Sequence, residues 1–336
     1  MPEPGAQPKW KAVFQISAVG GIWQNRSRRR VYPPNMRVAA IQLETVIGDV
    51  DANLAACQRL ADTAAHEGAE WIILPEFFTT GMGFFPELSQ LSLPPDGPAT
   101  ALLSALAKRH DAVVGGSFLC RDDDRHIRNA FFLATPEGIV GRHNKDIPTM
   151  WENCFYIGGT DDGLIKVGDL MAGVALCLEF NRTRTVERLR GKVDLVVGGS
   201  FVWGAPKGIP FYQRLQTSIE RYTDWASRFA KLVGCPVIEA THCGSIRCQY
   251  PLLPMEYVTD LGGGAIICDG SGNVLARRAK GDGAGVVVAD IEVGRVGDRA
   301  ESPRGFWIQD LDPVSRVGWR VQGWHGRRWY KRHVAP

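Results

Sequence analysis

Apolar residues from position 36 onward form short runs that alternate with segments of helical periodicity. The run from Val38 to Leu43 predicts a buried strand. From Asp51 to Gly68 apolar residues recur every three or four positions, which predicts a helix that ends at the glycine. The same pattern predicts further strands at 71–74, 112–117, 129–135, 139–142, 171–176, 193–197, 236–240, 264–268 and 286–291, and further helices at 99–110, 183–190 and 213–232. This alternation predicts an α/β fold, with one mixed sheet or with two sheets packed face to face and helices outside.

The two ends of the chain differ in composition from this regular part. Residues 1–35 carry a basic run at 26–30 that no apolar segment follows, so we predict a flexible, solvated N-terminal extension in preference to an RNA-binding arm. Residues 300–336 contain four of the ten tryptophans, interleaved with Arg and Lys. Such a tail can bind nucleic acid, but we favour an arm at a subunit interface, where Trp and Arg are also enriched. No linker interrupts 36–299, which we predict to be one domain.

Composition and charge narrow the class of protein further. Hydrophobic residues make up 45% and charged residues 22% of the 336 residues, as in ordinary globular proteins. The net charge of +3 is too balanced to predict a general nucleic-acid or membrane surface, and no apolar run is long enough to predict a transmembrane helix. The eight cysteines are dispersed and form no CxxC pair, so we expect no disulfide framework and a cytoplasmic location. We interpret the cluster of His242, Cys243 and Cys248 as buried side chains and not as a metal site.

Three polar residues stand at the ends of predicted strands. Glu76 follows an apolar strand and a proline, Lys145 follows a strand-like segment, and Cys177 ends a further apolar run. Taken singly, they have simple explanations as a surface carboxylate, a solvated charge and a core thiol. Clefts form at the carboxyl ends of strands in α/β folds. Together, the three therefore predict a site that offers a base, a cation and a nucleophile.

The segments around these residues resemble the nitrilase superfamily of carbon–nitrogen hydrolases. Leu74–Phe78 resembles the family's glutamate motif, His143–Pro148 its lysine motif and Gly173–Glu179 its cysteine motif. The order of the motifs and the separations of 69 and 32 residues also match, and the resemblance extends over residues 36–295. It implies a four-layer α-β-β-α sandwich of the nitrilase type. It also implies that subunits pair, so we expect a homo-oligomer, either a dimer or a larger assembly.

The resemblance also assigns roles to individual residues. Cys177 would be the nucleophile and Glu76 its general base, because a thiol needs activation near neutral pH. Lys145 and the backbone N–H of Leu178 would stabilise the anionic intermediate. Glu152, seven residues after Lys145, resembles a second glutamate that positions the substrate. This chemistry requires no metal and no organic cofactor.

Aromatic residues near the motifs are expected to shape the substrate pocket. By resemblance, the loops that carry them line an apolar pocket, although some of these rings would serve equally well in the core or at an interface. The candidates are Phe77, Trp151, Phe201 and Trp203.

The residue after the cysteine bears on the substrate. Nitrile-specific family members usually have Trp there, whereas this chain has Leu178. We therefore predict hydrolysis of a small carboxamide to an acid and ammonia through a cysteine thioester. The alternatives are a nitrilase that forms a thioimidate and a non-catalytic binding protein on the same fold. The expected partners are a small amide or nitrile and further copies of the chain, with no nucleic acid and no membrane.

Overall fold

The computed structural model describes residues 32–250, 255–297 and 300–336. The N-terminal extension predicted at 1–35 therefore lies outside the described residues, apart from its last four positions. In chain order the strands are β1 (Asn35–Glu44), β2 (Trp71–Ile73), β3 (Val113–Arg121), β4 (Ile127–Thr135), β5 (Gly138–Asn144), β6 (Leu164–Val167), β7 (Leu170–Leu176), β8 (Leu195–Ser200), β9 (Val237–Cys243), β10 (Ser245–Gln249), β11 (Glu256–Asp260), β12 (Ile266–Cys268), β13 (Val274–Arg277) and β14 (Gly285–Glu292). The α-helices are α1 (Val50–His66), α2 (Pro98–His110), α3 (Thr183–Leu189), α4 (Tyr212–Thr223), α5 (Trp225–Val233) and α6 (Pro313–His333). Short 3₁₀ helices lie at Pro86–Leu91, Met150–Cys154, Cys177–Asn181 and Lys280–Asp282.

Twelve of these strands form two connected sheets, and β10 and β11 pair in a separate two-stranded sheet. One of the connected sheets runs in the order β5-β4-β3-β2-β1-β14 and the other in the order β6-β7-β8-β9-β12-β13. They join where the end of β1, Gln42–Glu44, pairs in parallel with Thr241–Cys243 of β9. The central strands β1, β2 and β3 run parallel, as do β7, β8 and β9, so each sheet gathers several carboxyl ends at one edge.

Alternate residues along each strand face different layers. In β1, Ala39 and Ile41 pack toward α1 and α2, whereas Val38 and Ala40 pack toward the second sheet. In β8 of the second sheet, Val196 packs toward α5, on the face of that sheet opposite the first sheet. Because side chains alternate with a period of two, one apolar strand contributes to two separate cores. The layers are therefore helices, sheet, sheet and helices, which confirms the predicted four-layer α-β-β-α fold.

The predicted helix at 213–232 is two helices in the structure. The first, α4, ends at Thr223, and α5 begins at Trp225. Asp224 leaves the helical conformation between them, and its carboxylate accepts a hydrogen bond from Arg277 of β13 at 2.7 Å. Trp225 and Phe229 then turn inward onto the second sheet. The spacing of apolar residues correctly predicted helical structure in this segment. It did not predict the interruption at Asp224, where the chain contacts β13.

The C-terminal arm contains a helix that the sequence analysis did not predict. Asp312 caps α6 by accepting hydrogen bonds from the N–H groups of Val314 and Ser315, and Pro313 occupies the first turn. Along its buried face, Gly326 and Tyr330 pack onto the same chain. The placement of this arm at a subunit interface stays a prediction.

The length and apolar character of a helix decide whether it can cross a lipid bilayer. Within residues 32–250, 255–297 and 300–336, no helix combines the length and the apolar character needed to cross a membrane.

Close strand packing at Gly198 gives a test of the fold. A Cβ added there would lie 1.7 Å from the carbonyl oxygen of Ala175 on the neighbouring strand, so the two strands would have to separate. We expect Gly198→Ala to lower the free energy of unfolding by at least about 2 kcal/mol, because overpacking typically costs about 1–3 kcal/mol. Gly281→Ala is the matched control, since nothing lies within 4 Å of a Cβ at that position. Urea unfolding of both variants measures the difference, and equal stabilities would contradict this packing.

Candidate active site

Three strands, β2, β5 and β7, lead into the loops that carry the predicted charged residues and the cysteine. Glu76 lies just beyond β2, Lys145 directly follows β5, and Cys177 directly follows β7. At Cys177 the chain turns sharply from the strand into a 3₁₀ helix, with a φ of +51°. A non-glycine residue in this left-handed region is strained, and such residues cluster at functional sites. The strand ends thus bring together side chains that are far apart in the sequence.

The carboxylate of Glu76 is fully buried and accepts three hydrogen bonds. Its Oε1 accepts from the Nδ2 of Asn129 and from the Nζ of Lys145, both at 2.8 Å. Its Oε2 accepts from the backbone N–H of Phe201 at 2.9 Å. The imidazole of His242 donates to the backbone carbonyl of Glu76 at 2.6 Å. The orientation of this carboxylate is therefore fixed by three other parts of the chain.

Lys145 lies between two buried carboxylates. Its Nζ donates to Glu76 and, at 2.8 Å, to the Oε2 of Glu152. That same oxygen also accepts from the backbone N–H of Thr149 and from the hydroxyl of Tyr156. The other oxygen of Glu152, Oε1, is buried and has no hydrogen-bond partner among the described residues. A buried acceptor without a partner has an unfavourable free energy, and a hydrogen-bond donor from a bound molecule would relieve it.

Burial and the neighbouring charges set the protonation states of this cluster. Burial raises the pKa of Glu76 to about 7; Lys145 opposes this shift and Glu152 adds to it. Burial alone would lower the pKa of Lys145, but the carboxylates of Glu152 and Glu76 outweigh it and hold that pKa well above its ordinary range. Lys145 therefore carries its charge near neutral pH, and Glu76 can either accept or release a proton.

The thiol of Cys177 belongs to the same electrostatic environment. Burial raises its pKa well above the ordinary value, the charge of Glu76 raises it further, and Lys145 acts in the opposite direction. Only 5% of the residue is exposed. At rest the sulfur is thus a neutral thiol. Leu178 is the second residue of the 3₁₀ helix Cys177–Asn181, whose first backbone N–H groups have no acceptor within the helix.

Aromatic rings extend from the charged cluster toward the surface. The Nζ of Lys145 lies 5.9 Å from the ring centre of Phe77, which packs on Phe201 with ring centres 6.3 Å apart. Phe201 contacts Trp203 at 5.8 Å, and Trp203 contacts Trp151 at 5.0 Å. Trp203 is half-buried, whereas the other three rings are buried. An apolar wall therefore adjoins the charged groups.

A second buried ionic group connects the loop of Lys145 to the turn of Cys177. His143 lies between Asp161, 2.5 Å from its Nδ1, and Glu179, 3.1 Å from its Nε2. Glu179 also accepts from the backbone N–H groups of Asp146 at 3.1 Å and Leu176 at 2.9 Å. These two residues flank Lys145 and Cys177 directly. One carboxylate therefore fixes both loops relative to each other.

The family to which this chain belongs follows from comparison with known sequences. The model of the carbon–nitrogen hydrolase family matches residues 37–301, which include all the groups described above. The chain belongs to this family. As a member of the nitrilase superfamily, it is a cysteine-dependent carbon–nitrogen hydrolase.

Curated relatives of this hydrolase include several nitrilases. A nitrilase of Pyrococcus abyssi is 23% identical over 235 residues, which are 68% of this chain and 88% of that protein. Nitrilase 1 of Arabidopsis thaliana is 26% identical over 298 residues, or 78% of this chain and 80% of that protein.

Solved structures share the fold of this hydrolase at low identity. An amidase of the nitrilase superfamily from Nesterenkonia AN1 has a TM-score of 0.60 and 17% identity, covering 76% of this chain and 90% of that one. Nit3 of Saccharomyces cerevisiae has a TM-score of 0.60 and 18% identity, covering 77% and 90%. The likeness to these structures shows the shared architecture alone.

The structure brings together the charged residues that the sequence predicted for the site of this carbon–nitrogen hydrolase. Lys145 contacts both Glu76 and Glu152, and the charges of all three act on Cys177. Trp151 and the other predicted aromatic residues form the adjoining wall. Among the described residues, no group of three or more His, Cys, Asp or Glu side chains could hold a metal ion.

Sequence reasoning missed the residues that hold these groups in place. Asn129 is a polar residue at the start of the apolar run 130–134 of β4, a signal that could have drawn attention to it. Tyr156 and Asp161 gave no such signal, because each acts through a contact that only the folded chain creates. His143 and Glu179 stand inside the recognised motifs, but their pairing with each other was not foreseen.

The buried histidine gives a prediction about stability and pH. Burial opposes the charge on His143, but Glu179 and Asp161 outweigh it and raise its pKa to about 9. The ordinary pKa is about 6.5, so the imidazolium's contribution to folding is complete below about pH 6.5 and lost as the pH rises through about 9. We expect His143→Gln to lower the free energy of unfolding by on the order of 3 kcal/mol at pH 6, with a deficit that shrinks toward pH 9.

Urea unfolding at several pH values measures this deficit. His110→Gln is the control, because it removes an imidazole that contacts the partly buried Asp62 and neither Glu179 nor Asp161. A deficit for His143→Gln that stays constant with pH would show that the buried imidazole is neutral.

Proposed function

We propose that this hydrolase converts a small carboxamide and water to a carboxylic acid and ammonia through a thioester on Cys177. The observation that carries the proposal is the buried contact of Lys145 with Glu76 and Glu152, whose charges all act on the thiol. These groups offer a base, a cation and a nucleophile in a buried site, where charges stabilise the intermediates of acyl transfer more strongly than in bulk water.

In the first half-reaction, the carboxylate of Glu76 takes the thiol proton while the sulfur of Cys177 bonds to the carbonyl carbon. The resulting oxyanion is stabilised by the ammonium of Lys145 and the backbone N–H of Leu178. Glu76 then passes its proton to the departing nitrogen, the C–N bond breaks and ammonia leaves. A base whose pKa lies near neutrality suits both directions of this transfer.

In the second half-reaction, water replaces ammonia. Glu76 takes a proton from the water, whose oxygen attacks the thioester carbon. The same oxyanion site stabilises the second tetrahedral intermediate. The C–S bond then breaks, the proton returns to the sulfur of Cys177, and the acid leaves. The overall balance is one amide and one water to one acid and one ammonia.

The remaining predicted residues suit substrate binding. The unpartnered Oε1 of Glu152 can accept an N–H of the amide, which would align the carbonyl carbon with the sulfur. The aromatic wall of Phe77, Phe201, Trp203 and Trp151 favours an apolar acyl group. We propose these five residues as the positioning and specificity groups.

A nitrile is the second candidate substrate, supported by the curated relatives that are named nitrilases. The amide is preferred because Leu178 follows the nucleophile where nitrile-specific members usually carry Trp. The family membership favours either enzyme over a non-catalytic binding protein.

We also propose that the enzyme is a homo-oligomer. The outer face of α6 exposes four large apolar residues in the described part of the chain, more than a solvated helix usually carries. They are Val314, Val317, Val321 and Trp324.

Matched amide and nitrile pairs test the reaction. With apolar acyl groups, we expect ammonia release from the amides by the wild type, and no release with Cys177→Ala or with Glu76→Gln, since Glu76 acts in both half-reactions. Wild-type enzyme quenched with acid during turnover should show an acyl adduct by intact mass, and the adduct should map to Cys177, whose sulfur forms the thioester. Turnover of only the nitriles would reject the amidase assignment, and activity retained by Cys177→Ala would reject the mechanism.

The proposed base also predicts the pH dependence. Burial raises the pKa of Glu76 to about 7, with Lys145 opposing this shift, and the residue must be ionised to accept the thiol proton. We expect kcat/KM to rise about tenfold per pH unit below about pH 7 and to level off above it. Glu239→Gln is the control, because burial also raises the pKa of Glu239 to about 7 while its side chain bonds to Ser200 and Trp225 instead. Loss of the rising limb in this variant would contradict the assignment to Glu76.

A further inference from the structure

The C-terminal segment, residues 302–336, lies beyond the range that matches the family yet packs on the loops of the proposed site. Its helix α6 lies against the 3₁₀ turn Met150–Cys154, which carries Trp151 and Glu152. The family sequence alone therefore does not account for what holds this turn in place.

The closest contact is at Gly326. A Cβ added there would lie 2.6 Å from the Cβ of Asn153 and 3.0 Å from the backbone nitrogen of Cys154. These atoms belong to the residues that directly follow Glu152, and two of the three nearest are backbone atoms. The turn can therefore yield to a larger residue only if its backbone moves, and Glu152 moves with it.

A second contact fixes where the helix lies. The hydroxyl of Tyr330 accepts a hydrogen bond from the backbone N–H of Ile127 at 3.1 Å and contacts the Nδ1 of His126 at 3.0 Å. Ile127 begins β4, the strand from which Asn129 donates to Glu76. The helix is thus anchored to the strand that orients the proposed base.

A third contact reaches the residues after Lys145. The buried guanidinium of Arg182 bonds to the carboxylate of Asp146 and donates to the carbonyl of Ile147 at 3.2 Å. Three rings of the C-terminal segment surround this guanidinium at 5.9, 5.8 and 5.7 Å from their centres. They are Phe306, Trp307 and Trp319.

We infer that the C-terminal segment is a positioning element of the active site, and that Gly326 sets the distance of Glu152 from Lys145 and the thiol. This inference rests on the proposed function. Three contacts, at the turn, at the strand and at the guanidinium, hold the loops that carry Lys145 and Glu152. None of these C-terminal residues touches the reacting atoms. Their effect is on geometry.

The test uses the rate at which iodoacetamide alkylates Cys177, measured against pH by peptide mass. This readout needs no known substrate and depends on the groups around the sulfur. We expect Gly326→Ala to slow alkylation about tenfold and to shift its pH midpoint, because a displacement of about 1 Å can cost on the order of 10²-fold in a positioned reaction. The fold should persist, as checked by circular dichroism and thermal unfolding.

Gly323→Ala is the matched control on the same helix. Its Cβ would meet only the ends of two side chains, the Nη1 of Arg327 at 3.2 Å and the Nδ2 of Asn153 at 3.7 Å. We expect its alkylation rate to stay within about twofold of the wild type, since flexible ends can move aside. Equal effects of the two alanines would overturn the inference, because they would reflect the helix in general and not the contact with the turn.

Two further variants distinguish a failure of this inference from a failure of the proposed function. If Gly326→Ala does not fold, Tyr330→Phe removes the anchoring hydroxyl alone and should slow alkylation about threefold, in line with one lost hydrogen bond. Glu76→Gln tests the proposed function in the same assay. A changed alkylation rate or pH midpoint for Glu76→Gln, together with wild-type rates and midpoints for folded Gly326→Ala and Tyr330→Phe, would overturn this inference and leave the function standing. A wild-type rate and pH midpoint for Glu76→Gln would instead reject the proposed function.

Discussion

The site depends on the pairing of one buried ammonium with two buried carboxylates. An isolated charge in a protein interior is strongly unfavourable, so Lys145 is compatible with the fold only where Glu76 and Glu152 meet it. Those residues come from the end of a strand in the first sheet, from the loop after β5 and from a 3₁₀ turn. Their pairing therefore fixes three loops at once. Removing one partner would leave a buried charge uncompensated, which ties the chemistry of the site to the stability of its surroundings.

A second ionic group repeats this arrangement beside the first. His143 lies between Asp161 and Glu179, and Glu179 also holds the backbone on both sides of the site. The strained conformation of Cys177 needs such support, because a non-glycine residue at positive φ costs on the order of 1–3 kcal/mol. Hydrogen bonds from the neighbouring backbone to a charged carboxylate are stronger than neutral ones and can offset that cost. The turn that presents the sulfur is thus maintained by charges that take no part in the chemistry.

Much of the fold was predictable because its determinants are local. The alternation in β1 separates Val38 from Ala39, and the cores that the two residues enter follow directly from the period of two. The sequence could point to Glu76, Lys145 and Cys177 for a related reason, since each follows a strand within a short motif. The break at Asp224 could not be predicted, because Arg277 contacts this residue only in the folded chain. The same holds for the hydrogen bond between Tyr156 and Glu152. The helix α6 was missed despite its local signals, Asp312 and Pro313, because the basic and aromatic composition drew the interpretation toward an arm.

The protonation states suggest how such a site restricts its own reactivity. Burial and the charge of Glu76 keep the sulfur of Cys177 protonated at rest, so proton transfer to Glu76 is unfavourable until another group absorbs the negative charge. In the proposed mechanism, a substrate carbonyl that reaches Lys145 would provide that group, because the negative charge would then move from the sulfur to an oxygen beside the ammonium. Stabilisation therefore appears in the transition state and not in the resting enzyme, as effective catalysis requires. In the proposed mechanism, a thiol held in this way would react slowly with small oxidants, which act on the thiolate, and fastest with molecules that fill the oxyanion site.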